Sequence, residues 1–347
     1  MVIEKKSRVW SVLLIGTLSM FFAEIFSGAS LIWIIDPWSL LVTYPLYLAH
    51  LLLLLNISMR MKKTSIPQLY LFGVIFGLYE SWITKVLWSG YPGSEAPILG
   101  LVAGIAVVEF IVLVFFWHPF MAFIIPIITY ESLALSKMEN LSESQDLLFK
   151  SHLPYLEKNS KFYYFIVVMV LLGAAFLSVN SGYNIVIAVI AASSSVILIY
   201  MLYRFSDKLT VHSLRFGKKG MTILIIYIVA LYLFTFFSLM PENIPQSPVP
   251  ILIIVGFYGI TIALIYLSKP VDIPQEPFKG EESRVIVELY GIRDMFILFV
   301  IFTVLTIPYC LLPLLSIVLF AIFTYALIFV GPIIFIYFSI KALRGKG

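Results

Sequence analysis

The chain has 347 residues, a formal net charge of +4, and only 12% charged against 61% apolar residues. A soluble domain devotes about 25% of its residues to charge, so a water-exposed globule is excluded, and the absence of any basic run interleaved with aromatics excludes nucleic acid as a partner. A bilayer removes the need for a charged exterior, and the sequence reads as an all-α, polytopic helical membrane protein with about ten transmembrane helices in one integral domain over 1–347.

Taken in chain order, the first apolar run covers 9–35 and follows a basic start, Lys5, Lys6 and Arg8. It is too long for a signal-peptide core and no small-residue cleavage site follows, so it is expected to stay as a span. Asp36-Pro37 breaks it, a second run covers 38–59, and Arg60, Lys62 and Lys63 close that one. A third covers 66–88 and ends in a turn-rich stretch, Ser89 to Glu95.

The run over 96–135 is too long for one straight helix and short for two. Charge decides its reading. The segment 136–161 carries four lysines and four acids. Only a single crossing over 96–135 puts that segment and every later basic loop on the same side as the N-terminus. The expectation is one crossing, kinked or re-entrant near His118-Pro119. Six further runs follow over 162–180, 184–203, 221–240, 251–267, 295–312 and 314–340.

This places the protein in the cell membrane with both termini cytoplasmic. Residues 1–135 form a half that carries the buried charges, 136–161 a cytoplasmic interfacial linker, and 162–347 an apolar helical half. The stretch 139–158 has leucines among charges and reads as an amphipathic helix on the inner leaflet. Membrane lipid is the expected partner; oligomeric state is not encoded in any pattern here.

Charges inside hydrocarbon cost about 2.5–3.5 kcal/mol each on insertion scales, and they fall unevenly. Glu24, Glu80, Lys85 and Glu109 lie within the first four runs, and no Asp, Glu, Lys or Arg lies deep within a later one. At 100° per residue, Gly73, Gly77, Glu80, Ser81, Thr84 and Lys85 share one face of the third span. Small residues on that face admit a close neighbour helix, so the polar groups point at protein. These four ionisable residues are the candidates for binding a substrate or an ion. His50, His118, Ser81 and Thr84 are secondary candidates, with His118 placed to bond carbonyls that Pro119 frees. Glu131 reads as interfacial. Plain structural roles stand beside these: Lys85 snorkelling to the interface, and an ion pair that only fixes helix packing.

The tripeptide Tyr79-Glu80-Ser81 recurs as Tyr130-Glu131-Ser132, a coincidence expected by chance at this length. No cofactor or metal is implied: no P-loop, HExxH, GxGD or aspartate-rich motif occurs, and the single cysteine, Cys310, forbids an intrachain disulfide. The leading reading is a transporter or permeation protein for an ion or small solute, working through buried carboxylates. An intramembrane enzyme acting on a lipid or membrane-embedded substrate, and a scaffold without a site, are the alternatives.

Overall fold

The computed structural model describes residues 5–137, 149–158, 160–206, 209–271 and 291–345. It is 79% helical, with one two-residue hairpin as its regular strand content, so the all-α expectation holds. Nine helices among the described residues are long and apolar enough to cross a membrane. They are α1 (Ser7–Ile25), α2 (Ser39–Met61), α4 (Val107–Leu135), α5 (Lys161–Asn180), α6 (Ile185–Phe205), α7 (Lys218–Ser238), α8 (Pro248–Leu267), α9 (Ile292–Leu311) and α10 (Pro313–Arg344). A shorter helix, α3 (Ile66–Gly77), precedes α4. Residues 139–148 of the expected interfacial helix lie outside the described residues.

Three boundaries differ from the sequence reading, each for a local reason. The first span stops at Ile25, not near residue 35. Gly28 takes φ +73°, and the Gly28 and Ala29 amides fold back onto the Ile25 and Glu24 carbonyls at 3.1 and 3.0 Å. That left-handed turn is free for glycine and closes a helix C-terminus. Asp36 then caps α2, its Oδ2 accepting the Ser39 amide at 2.7 Å. Hydrogen bonds from the Ser39 side chain and amide hold the Asp36 carboxyl below its ordinary value.

The third run is not one helix. After α3 the chain makes two single turns, Tyr79–Trp82 and Val86–Ser89, separated at Lys85, which sits at φ 59°. The stretch 96–135 holds one long helix: residues 101–106 form a tight hairpin, β1 (Leu101–Val102) with β2 (Ile105–Ala106), and α4 runs unbroken from Val107. It is neither re-entrant nor interrupted at Pro119. Instead, Ile111–Ile124 has the wide i→i+5 pattern with Pro119 inside it. A proline removes one amide donor and crowds the preceding turn, and a widened helix absorbs both. The Phe115 carbonyl, four residues before Pro119, accepts the Tyr70 hydroxyl at 2.7 Å.

Arg8 Nε donates to the Ser213 carbonyl at 3.2 Å, which joins the start of α1 to the segment that follows α6.

The chain forms two compact units, each assembled from three stretches: 1–48, 125–215 and 272–323 in the first, and 49–124, 216–271 and 324–347 in the second. In the first, α9 packs on α5 and α6, and α1 on α6. Phe26 stacks on Phe302 at 4.2 Å within a cluster that includes Phe21, Phe22 and Phe299. Gly173 lies against the Phe26 ring, where a Cβ would come within 2.4 Å.

In the second unit α3 lies along the 107–124 part of α4. A Cβ at Gly73 would fall 2.4 Å from the Pro119 Cα, and one at Gly77 would fall 2.9 Å from the Val114 Cα. Two glycines thus bring the backbones together, as small residues do between membrane helices. In α4, 94% of the apolar window is covered by protein, against 11% for α10 and 17% for α7.

Candidate functional site

Glu80, Thr84 and His118, all sequence candidates, come together in the second unit. Glu80 sits on the first turn after α3, and His118 on the widened part of α4 that Gly73 and Gly77 allow to approach. The ring nitrogen His118 Nε2 lies 3.2 Å from Glu80 Oε1 and 3.2 Å from the Tyr79 hydroxyl. The other, Nδ1, lies 3.0 Å from the Leu113 carbonyl. Thr84 donates to the Glu80 carboxylate, and lies 2.9 Å from the Glu80 carbonyl.

A carbonyl oxygen only accepts, so the network assigns the Nδ1 proton to the Leu113 bond. His118 Nε2 then faces two groups, a Glu80 carboxyl oxygen and the Tyr79 hydroxyl, each at 3.2 Å. The Glu80 side chain keeps 9% of its surface accessible while His118 keeps 1%.

Aromatic rings and hydroxyls extend the pair. His50 stacks on Phe76 at 5.0 Å and its Nε2 lies 3.0 Å from the Tyr232 hydroxyl. Tyr232 bonds Tyr258, and Tyr258 bonds Trp82, which returns to the segment carrying Glu80. The Tyr79 ring meets His118 edge-on at 5.0 Å and His50 at 5.5 Å. Neither Tyr79 nor Tyr232 stood out in the sequence. The usable signal was that Tyr79 adjoins an intramembrane acid.

Lys85 is buried and faces no carboxylate at ion-pair distance among the described residues. Its ammonium donates to the carbonyls of Ile83 at 3.2 Å, Thr235 at 2.8 Å and Leu239. The last two close the C-terminus of α7, where exposed carbonyls and the helix dipole favour a cation. Lys63 does the same for α8, donating to Ile265 and Tyr266 at 2.5 and 2.8 Å.

Glu109 lies in the same unit, on the first turn of α4. Its Oε1 accepts the Ile98 amide at 2.9 Å. Its Oε2, Ser81 Oγ and Trp88 Nε1 are buried with no hydrogen-bond partner among the described residues. Glu24 belongs to the first unit, where Tyr47 and Ser30 donate to its two oxygens at 2.5 and 2.6 Å.

A second acid–histidine pair escaped the sequence reading. Glu131 is fully buried in protein, and its Oε2 lies 2.6 Å from His152 Nδ1. Its Oε1 accepts the Phe149 amide at 2.8 Å, so the pair fastens residues 149–152 to the end of α4. Among the described residues no group of three His, Cys, Asp or Glu side chains is placed to hold a metal.

No solved structure matches the chain. An uncharacterized protein of Archaeoglobus fulgidus is 38% identical over 156 residues, 45% of this chain, and the match spans only 46% of that relative's length. Residues 13–344 match the model of a family described as an uncharacterized membrane protein family. With that match running through all ten helices, the chain belongs to this family of multi-pass membrane proteins.

Proposed function

We propose that the protein is a permeation protein of the cell membrane that moves a small ion or solute together with a proton, and that Glu80 and His118 carry the proton. The single observation behind this reading is the buried Glu80–His118 pair, 3.2 Å apart in a setting where an ionisable group is expensive. Histidine titrates near neutral pH and relays protons without large motion. The partnerless Ser81 hydroxyl beside Glu80 supports a polar solute at this position, since buried polar atoms seldom stay unbonded.

In this reading both termini are cytoplasmic. The basic residues Arg8, Arg60, Arg204, Arg215 and Lys218 all precede or follow spans on the N-terminal side of the count, as the positive-inside rule requires. Arg60 donating to the Phe216 carbonyl at 2.8 Å keeps two of these loops at one face.

The test is proton flux into proteoliposomes, read by an entrapped pH dye under an imposed pH gradient. Glu80→Gln and His118→Gln are each expected to lower flux at least tenfold, with Thr84→Val lowering it less. Flux equal to the parent in both Glu80→Gln and His118→Gln, with folded protein verified by gel filtration, overturns the proposal.

A further inference from the structure

Charged residues of the second unit are sorted by end. Its acids are Glu80, Glu95, Glu109 and Glu242. Glu80 and Glu109 are buried. Glu242 lies just beyond the C-terminus of α7. Gly104 packs on Pro250, at the start of α8, so the loop that carries Glu95 returns to that same end.

At the opposite end of α7 and α8, four helix ends meet. Arg60 donates to the Phe216 carbonyl at 2.8 Å, and the Phe216 amide donates to Asn56 Oδ1 at 2.6 Å, which brings the start of α7 to the end of α2. The Val271 amide donates to the Lys62 carbonyl at 3.1 Å, and Gln68 Nε2 donates to the Lys269 carbonyl at 2.6 Å, so the end of α8 lies at the same turn. A Cβ on Gly345 would meet the Lys269 Cβ at 3.4 Å, which adds the end of α10. These ends carry Arg60, Lys62, Lys218, Lys219, Lys269 and Arg344, all exposed. Among the described residues no acid lies on them, and none of the six is in an ion pair.

Two plainer roles do not account for this gathering. Cations near helix C-termini offset the helix dipole, and α2, α8 and α10 end here. That role fits Lys63, which is buried and donates to the Ile265 and Tyr266 carbonyls of α8. It does not fit Lys218 and Lys219, which stand in the first turn of α7, where the dipole disfavours a cation. The positive-inside rule sorts cations to one side of the membrane, but does not call for them to converge on touching helix ends free of acids. Like charges brought within a screening length of about 8–10 Å repel unless anions lie among them.

Depth decides which anion. α2, α7, α8 and α10 are each long and apolar enough to cross a bilayer, so their ends lie at the level of lipid headgroups. We infer that this end of the second unit is a binding surface for net-anionic phospholipids, with the headgroup phosphate taken among Arg60, Lys62, Lys218, Lys219, Lys269 and Arg344. The two arginines supply paired N–H donors to phosphate oxygens and the four lysines supply mobile point charges. Each surface Lys or Arg strengthens attraction to an anionic leaflet about fivefold. The surface is separate from Glu80 and His118, and its test does not depend on proton flux.

The experiment incubates the full-length protein in detergent with equal amounts of phosphatidylglycerol and phosphatidylcholine, separates it by gel filtration, and weighs the co-eluting lipids by mass spectrometry. The parent is expected to retain at least tenfold more phosphatidylglycerol. The triple variant Lys62→Gln, Lys218→Gln, Lys269→Gln is expected to bring the two lipids within twofold. A control triple in the first unit, Lys161→Gln, Arg204→Gln, Arg293→Gln, is expected to keep the preference. Raising ionic strength from about 0.01 M to about 1 M shortens the screening length from about 30 to about 3 Å. It is expected to erase the preference in the parent, a reading that needs no variant to fold. Inorganic phosphate in excess is expected to leave the lipid in place. Equal retention of both lipids by the parent overturns the proposal, as it would if the acids over 272–290, outside the described residues, neutralised this face. An unchanged preference in the Lys62 triple, an equal loss in the control triple, a preference unmoved by salt, or displacement by inorganic phosphate overturns it as well.

Discussion

At the scale of single residues, the structure separates ionisable groups that hold a proton from those that hold the fold. Lys85 belongs to the second kind. A buried ammonium is expensive, and its three donors offset that cost by bonding the carbonyls of Ile83, Thr235 and Leu239, of which Thr235 also accepts the Leu239 amide at 2.9 Å. Replacement by methionine keeps length and apolar contact but strips Thr235 and Leu239 of a donor. Leaving buried acceptors unpaired costs about 1–3 kcal/mol. Lys85→Met is therefore expected to lower the thermal midpoint in detergent while flux per folded molecule stays near the parent's. The opposite pattern, unchanged stability with flux lost, would return Lys85 to the transport site. The carboxyls separate by the same criterion. Glu24 receives hydroxyl donors on both oxygens, whereas Glu80 meets a ring nitrogen at 3.2 Å and Glu109 leaves one oxygen bare.

Between helices, the site depends on how closely α3 approaches α4. Gly73 and Gly77 set that distance, and their spacing by four was visible in the sequence as a small-residue stripe on one face. A methyl at Gly73 would meet backbone, the Pro119 Cα, which cannot step aside as a side chain can. Overpacking of this kind costs typically about 1–3 kcal/mol. Gly73→Ala is expected both to lower the thermal midpoint and to reduce flux, since His118 adjoins Pro119. Gly256→Ala, where a Cβ meets nothing within 4 Å, serves as the control and should do neither. Equal effects of the two would remove the close approach from the account. The stripe was legible because a helix repeats its faces. What ended the helix was not. The break at Lys85 comes from carbonyls 150 residues further along, and no local pattern announces them. The pairing of Glu80 with His118 was hidden for the same reason, since 38 residues and a hairpin lie between. For Glu131 only its distance from the end of a run was visible, and its partner His152 comes 21 residues later.

For the whole molecule, hydropathy made the long apolar helices legible, and nine of them stand among the described residues. Were each to cross, and nothing else, residues 8 and 213 would fall on opposite faces, yet Arg8 touches the Ser213 carbonyl. A crossing by the broken third segment would restore the parity. This yields a prediction independent of any transport activity. The native Cys310 is buried, so single cysteines placed at Ser94 and at Arg215 can be read against a low background with a membrane-impermeant thiol reagent. In intact cells the Ser94→Cys protein is expected to label and the Arg215→Cys protein to label only after permeabilisation. Labelling of both in intact cells would mean that the third segment does not cross. Labelling of Arg215→Cys alone would keep the count of ten and invert the orientation, placing the termini outside and setting the chain against the positive-inside rule.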